Sequence, residues 1–338
     1  MGARNRAATP LYRDGTLGAR SDLADGRSCG HAGRECARYH RSMGKPPLLT
    51  DSAAALEALA RVEVLYTDLD GTLLARGGSV VADAAGSPST TTVESIVALK
   101  RAGLTVVPVS GRTRLQLTEV VRLLGWSDFI AEVGAVLVRG AGPGRKVVYN
   151  TAEWPAHLLG DTSPYELIRD SGALQALQAA FPGRLEYHTP WHRDREASHL
   201  LRGCLELAEA QEILDALELP VTLLDNGRVH PPTHGLACLE LVHAYHLVPR
   251  GVSKTQAIAL DLAERGLSAD QAAAIGDSAT DLAMADSVGL MALVDNAFES
   301  ESVVAALEQR TCDRVVRLPG QRGDGWAQFA HEWLSSRR

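Results

Sequence analysis

The segment Val62-Glu-Val-Leu-Tyr-Thr-Asp68-Leu-Asp70-Gly-Thr72-Leu-Leu74 decides the reading of this chain. A β-branched and aromatic run ends abruptly in two aspartates one residue apart, followed by Gly-Thr. Such a run reads as a buried strand over 62–67. Two carboxylates this close repel each other unless their roles divide or a cation neutralises them. A buried strand has no structural use for the pair. Chemistry does: one carboxylate attacks, its neighbour moves a proton, and a divalent metal sits between them.

Outward from this strand, helices and strands alternate. Residues 51–60 read as a short helix and Thr91–Ala102 as a longer one, ended by Gly103. A second strand, Leu104–Val109, runs into Ser110-Gly111-Arg112, and a helix follows over 115–124. Phe129–Gly134 and Ala135–Val138 read as a third strand and a hairpin, closed by the turn Gly140-Ala-Gly-Pro-Gly144. The rhythm changes between about 154 and 240. A helix is expected over 164–180, then strands at 184–188, 199–207 and 221–224, with a helix at 208–217. Alternation then resumes: Lys254 opens a helix to Arg265, Ala272–Asp277 forms a strand and turn, Asp281–Ala285 starts a helix, and Val288–Val294 is a strand. A last amphipathic helix is expected over 326–334. This pattern predicts an α/β fold, a doubly wound, Rossmann-like parallel sheet, with an inserted α+β module. The expected division is a tail over 1–48, core over 49–153, the inserted module over 154–240 and core again over 241–338.

Composition narrows the function. With 338 residues, 45% hydrophobic and 22% charged, the chain can bury a substantial core. A net charge of -7 argues against nucleic-acid partners. No stretch approaches the length of a membrane span. The five cysteines, Cys29, Cys36, Cys204, Cys238 and Cys312, form no CxxC pair, so a structural zinc and a disulfide framework are not expected and a cytoplasmic setting is. Residues 1–48, rich in Arg and Gly without periodicity, read as a disordered tail, with Met43 a candidate start. The sequence carries no signal for an oligomeric state.

Four polar features fall at strand ends or helix starts: Asp68/Asp70/Thr72, Ser110-Gly111-Arg112, Lys254, and Gly276-Asp277-Ser-Ala-Thr-Asp281. In doubly wound folds the carboxyl ends of the strands form the binding crevice. Up to four carboxylates would then share it, a hard oxygen set that suits magnesium. Ser110 and Lys254 would supply a hydroxyl and a cation for a phosphoryl group, and backbone N–H groups beside glycines such as Gly111 would add donors. Together these parts make a phosphoryl-transfer apparatus. In the inserted module, Thr189-Pro-Trp191-His-Arg193-Asp-Arg195 is dense in groups able to stack on or bind a polar substrate, although such a stretch also reads as a solvated loop. Trp191 offers a stacking face and Arg193 and Arg195 a second anion site. His230 and His234 cannot share a helix across Pro231-Pro232, so these, His243 and His246 are expected to be structural or surface histidines.

The four features, in this order, resemble the motifs of the haloacid dehalogenase (HAD) superfamily of phosphotransferases. The motifs are Asp68-Leu-Asp70-Gly-Thr72, Val109-Ser110, the Lys254 of Gly251-Val-Ser-Lys, and Gly276-Asp277-x-x-x-Asp281. The stretch from Thr72 to Ser110 is short, and that from Ser110 to Lys254 is long enough for a domain. A cap in the second position resembles the Cof-type and sucrose-phosphatase-like branch. Ala131-Glu-Val-Gly-Ala135 echoes that branch's Glu-Asn-Gly-Ala with Val133 in place of Asn. Thr280 likewise replaces an Asn, and Asn296 echoes a Gly-Asn-Ala motif. The resemblance implies that Asp68 is the nucleophile and Asp70 the acid and base. It places Mg2+ on Asp68, the backbone carbonyl of Asp70 and Asp277, with Asp281 either a further ligand or a support behind them, and Ser110, Gly111 and Lys254 on the phosphoryl oxygens. Thr72 is expected to bond within the nucleophile loop, and Arg112 either to reach the substrate or to brace that loop. Asn296 joins Arg112 and the module residues as a substrate candidate. The implied activity is a phosphatase acting on a small phosphorylated metabolite, a sugar phosphate being one candidate. A phosphomutase of the phosphomannomutase kind and a non-catalytic module that kept the fold are the alternatives.

Overall fold

The computed structural model describes residues 45–229, 235–310 and 314–337. The expected tail up to Gly44, with Met43, Cys29 and Cys36, lies outside the described residues, as do His230, His234 and Cys312. Five parallel strands form the central sheet. In chain order they are β1 (Val64–Thr67), β2 (Thr105–Pro108), β10 (Ala272–Gly276), β11 (Leu290–Leu293) and β12 (Val315–Arg317), and in space they run β12-β11-β10-β1-β2. The first three and the fourth fall where the hydrophobic runs place them; β12 was not expected. Every residue of β1, β10 and β11 is buried, which is why these strands read as continuous apolar runs rather than as alternation.

Period-2 alternation divides their side chains between two layers. Leu65, Val106, Ala273, Ala292 and Val316 pack on one face with Trp326, Phe329 and Trp333 of the last helix, α10 (Arg322–Ser335). Tyr66, Val107, Ala274 and Met291 pack on the other with Ile258 and Leu262 of α7 (Lys254–Arg265). The sheet is thus covered on both sides, the doubly wound arrangement expected from the alternation.

An antiparallel ribbon of β3 (Phe129–Ala131), β4 (Val136–Arg139) and β5 (Lys146–Tyr149) extends from β2 through a bridge between Val109 and Ile130. The expected strand to Gly134 stops at Ala131, because Glu132, Val133 and Gly134 all take positive φ. The glycine-rich turn at 140–144 does close a hairpin, but its second arm is the exposed β5.

The inserted module is a four-stranded antiparallel sheet, β6 (Leu185–Tyr187), β7 (His199–Gly203), β8 (Val221–Val229) and β9 (Val242–Pro249), in the order β6-β7-β9-β8. Helices α4 (Pro164–Asp170), α5 (Ala173–Ala180) and α6 (Leu207–Asp215) bury Ile168, Leu177 and Leu214 against Leu201, Val221 and Leu247. Two sequence expectations change here. The single helix over 164–180 is two, broken at Gly172, whose φ of +81° ends the first. The module does not end at 240: its sheet takes β9, which runs to Pro249. Among the described residues no helix is long and apolar enough to cross a membrane.

Candidate active site

β1 delivers Asp68 at its carboxyl end, only 7% exposed. The following turn is pinned by fully buried Leu69 and Leu73 and reverses at Gly71, φ +92°. A Cβ on Gly71 would lie 2.2 Å from Asp277 Oδ2, so glycine lets the two loops meet. Thr72 Oγ1 then donates to Asp277 Oδ1 (3.1 Å). Asn296 Nδ2 donates both to Asp277 Oδ2 and to the Gly71 carbonyl, each at 3.0 Å. The Thr72 side chain thus reaches across to Asp277, while its backbone N–H bonds within its own loop, to the Leu69 carbonyl (3.3 Å). Asn296, 8% exposed, is not among the residues lining the cavity and holds the Asp277 carboxylate.

β10 delivers Gly276 and Asp277. Asp281 sits in the first turn of the short helix α8 (Ala279–Leu282). Its Oδ2 accepts from the backbone N–H of Asp277 (3.2 Å) and Ser278 (3.0 Å) and from Ser278 Oγ (2.6 Å). Its Oδ1 accepts from Lys254 Nζ (2.7 Å), which also donates to Asp68 Oδ1 (2.9 Å). Ser253 caps α7 and sets Lys254 in its first turn, where a cation opposes the helix dipole. Two buried carboxylates account for that placement.

Asp68, Asp277 and Asp281 each offer an oxygen within 4.8 Å of the others. Burial first, then the charges of Asp281 and Asp277, push the Asp68 pKa up against the opposing pull of Lys254. Burial and Asp281 push Asp277 to about 7. Burial alone would lower Lys254, but Asp281 and Asp68 outweigh it and hold the ammonium charged. Three carboxylates against one ammonium leave surplus negative charge with oxygen donors only, a set that fits magnesium. Asp277 accepts hydrogen bonds from the neutral side chains Thr72 and Asn296 and has no ammonium bonded to it. Asp281, with four donors on its oxygens, is already occupied in orienting Lys254 and the 277–278 backbone.

The Asp70 side chain stands apart from the three. Arg112 grips it in a bidentate pair, Nε to Oδ2 at 2.8 Å and Nη2 to Oδ1 at 2.6 Å. Arg112 thereby ties its own loop to the nucleophile loop, and it also lines the cavity beside Asp70. Ser110 is buried, and its Oγ accepts from the Arg112 N–H (3.3 Å). Gly111 is pressed by the inserted module: a Cβ there would fall 2.9 Å from His246 Nε2.

These groups open on a cavity of about 420 Å³ with Asp68, Asp70, Ser110, Lys254, Asp277 and Asp281 on its core side. The module supplies His188, Trp191, Arg195, Asn226 and His246. Trp191 is 54% exposed at the edge, whereas Arg193 is exposed and does not line the cavity. Arg195 is buried, so the solvated-loop reading fails at that residue. It donates to the Gly111 carbonyl (3.0 Å), to Ser198 Oγ (3.1 Å) and to the Trp191 carbonyl (3.1 Å). Burial lowers its pKa to about 10. His246, expected to be structural or surface, is buried in the cavity wall; burial and then Arg195 keep it neutral by pushing its pKa well down. His243 lies instead against Asp225, 2.7 Å away. His188, Asn226 and His246 were not singled out as cavity residues: they sit just past β6, on β8 and on β9, and only the pairing of those strands brings them over the core.

Comparison with known proteins follows the same lines. A family profile described as haloacid dehalogenase-like hydrolase matches residues 242–308. A phosphoglycolate phosphatase from Methanoculleus marisnigri is 28% identical over 239 residues, 70% of this chain and 85% of that protein. The crystal structure of Thermoplasma acidophilum 0175 aligns with TM-score 0.54 and 20% identity, covering 81% of this chain and 99% of that one. The sucrose-phosphatase of Synechocystis, solved with sucrose and phosphate, aligns with TM-score 0.53 and 15% identity over 80% of this chain and 97% of that one. The last two likenesses concern the fold.

Proposed function

We propose that this chain, a haloacid dehalogenase-like hydrolase, is a magnesium-dependent phosphomonoesterase that works through an aspartyl-phosphate on Asp68. The observation that carries the reading is the division between two neighbouring acids: Asp68 is buried and held by Lys254, and Asp70 is exposed on the same loop and free of the carboxylate cluster. In the first step an Asp68 oxygen attacks phosphorus and the ester P–O bond breaks, while Asp70 gives its proton to the departing oxygen. In the second, Asp70 takes a proton from water, the water oxygen bonds to phosphorus, and the P–O bond to Asp68 breaks. Arg112 holds the Asp70 carboxylate in place through its bidentate pair. Ser110, Gly111 N–H and Lys254 hold the phosphoryl oxygens, and Lys254 opposes in part the rise that burial imposes on the Asp68 pKa.

Magnesium, when bound, would neutralise phosphoryl and carboxylate charge, held by Asp68, Asp277 and the Asp70 carbonyl with Asp281 beside it. The residues between the two parts of the core form a cap, and its wall of His188, Trp191, Arg195, Asn226 and His246 limits the leaving group to a small metabolite. The Methanoculleus relative's name, phosphoglycolate phosphatase, supports the reaction class and makes phosphoglycolate a first substrate to try beside sugar phosphates. Hydrolysis of p-nitrophenyl phosphate with and without magnesium tests the reading. Turnover by wild type that Asp68→Asn abolishes is expected; equal turnover by both would sink it.

A further inference from the structure

The turn after β3 is built unlike any other among the described residues. Glu132, Val133 and Gly134 take φ of +51°, +54° and +110° in succession. Left-handed backbone at two non-glycine residues, one of them β-branched, costs about 1–2 kcal/mol each and persists only where surroundings impose it. The surroundings are the active site. Val133 N–H donates to the Ser110 carbonyl (3.1 Å) and Glu132 N–H to the Arg112 carbonyl (3.0 Å). The carbonyl between them, on Gly111, is taken by Arg195 of the cap. Gly134 packs on the start of α7: a Cβ there would lie 2.3 Å from the Ser253 carbonyl, beside Lys254.

The Glu132 side chain is fully buried and turns the other way, into the cap. Its Oε1 accepts from Glu196 N–H (2.9 Å), and its Oε2 from Ala197 N–H (3.2 Å) and Ser198 Oγ (2.6 Å). Ser198 Oγ is in turn the acceptor for Arg195 Nη1. One carboxylate thus fixes the cap peptide 195–198, and that peptide fixes the phosphate-side loop through Arg195. Both oxygens face donors, so the site requires an acceptor at both positions, which a carboxylate meets and an amide does not.

We propose that Glu132 is a positioning residue that latches the cap onto the core and, through Arg195, sets the Ser110–Arg112 loop for phosphate. The proposal rests on the phosphatase reading for its meaning, though its test does not need turnover. Glu132→Gln turns an NH₂ towards a donor and uncouples the peptide. The binding of inorganic phosphate with magnesium should weaken about tenfold or more, with KM rising in parallel for a phosphate ester. Hydrogen exchange at the amides of Glu196 and Ala197 should lose protection. Ser198→Ala removes one of the three bonds and should shift phosphate affinity in the same direction by a few-fold, which keeps the test open if Glu132→Gln does not fold. A purely structural role would lower the melting temperature and leave phosphate affinity unmoved. Affinity within twofold of wild type in folded Ser198→Ala and Glu132→Gln, or protection retained at those amides, would overturn the proposal. A wild type without phosphatase activity would count against the catalytic reading alone, since exchange reads the latch directly.

Discussion

Gly71→Ala separates backbone strain from damage to the metal site, because the chain contains its own control. Gly71 and Gly86 have nearly the same φ, +92° and +91°. Around Gly86 a Cβ would meet nothing within 4 Å, whereas at Gly71 it would meet Asp277 Oδ2 at 2.2 Å. Gly86→Ala therefore carries only the strain of a left-handed L-residue, about 1–2 kcal/mol. Gly71→Ala carries the same strain plus expulsion of the Asp277 carboxylate by more than an ångström, since van der Waals contact needs about 3.5 Å. That movement breaks the bonds from Thr72 and Asn296, hydrogen bonds to a charged group worth about 1.5–3 kcal/mol each before relaxation. Magnesium affinity should fall at least tenfold in Gly71→Ala and stay near wild type in Gly86→Ala. The assay is a magnesium titration followed by thermal melting and by turnover. Equal magnesium affinity in the two variants would refute the reasoning, because it would mean that Asp277 has no part in holding the ion.

Three further outcomes are expected. Folding raises the Asp277 pKa from the ordinary carboxylate range to about 7, so the folded, metal-free protein binds more protons than the unfolded chain between about pH 4 and 7. This contribution is largest at acid pH and is lost as pH rises through 7; magnesium should therefore raise the melting temperature more at pH 8 than at pH 5.5, and an equal gain would contradict it. Lys254→Met leaves Asp68 and Asp281 buried without their cation, so about 3–5 kcal/mol of stability should be lost at pH 8, together with turnover, as read by urea denaturation and p-nitrophenyl phosphate assay. Asn296→Ala should weaken magnesium about tenfold while KM at saturating magnesium stays near wild type; a raised KM with normal magnesium affinity would return Asn296 to the substrate site.

The sheet and the corners of the candidate site were legible because both depend on local sequence. Runs buried on two faces need unbroken apolar residues, and the strand ends at the candidate site interrupt them with Asp68, Ser110 and Asp277. Elements stabilised only by partners were harder to read. β12 is three residues long, and β5 is exposed throughout. The bend that splits 164–180 rests on one glycine inside an otherwise helical pattern. Pairings across the chain carry no local signal: Thr72 and Asn296 on Asp277, Glu132 on the cap peptide, and Arg195 on Gly111 join residues far apart in sequence. Glu132 was visible as part of a motif, but its task depends on a turn whose positive φ at Val133 no residue preference predicts.

The central claim is that phosphate passes through Asp68 and that Asp70 releases it. Asp70→Asn retains the nucleophile and removes the group that activates water, so with p-nitrophenyl phosphate, whose leaving group departs without needing a proton from Asp70, the covalent intermediate should accumulate. Acid quench of Asp70→Asn during turnover, followed by peptide mass spectrometry, measures this directly. The account predicts a hydroxylamine-labile phosphoryl group on the peptide containing Asp68, absent when Asp68→Asn is added. No phosphoprotein, or a phosphoryl group on any other residue, would contradict it.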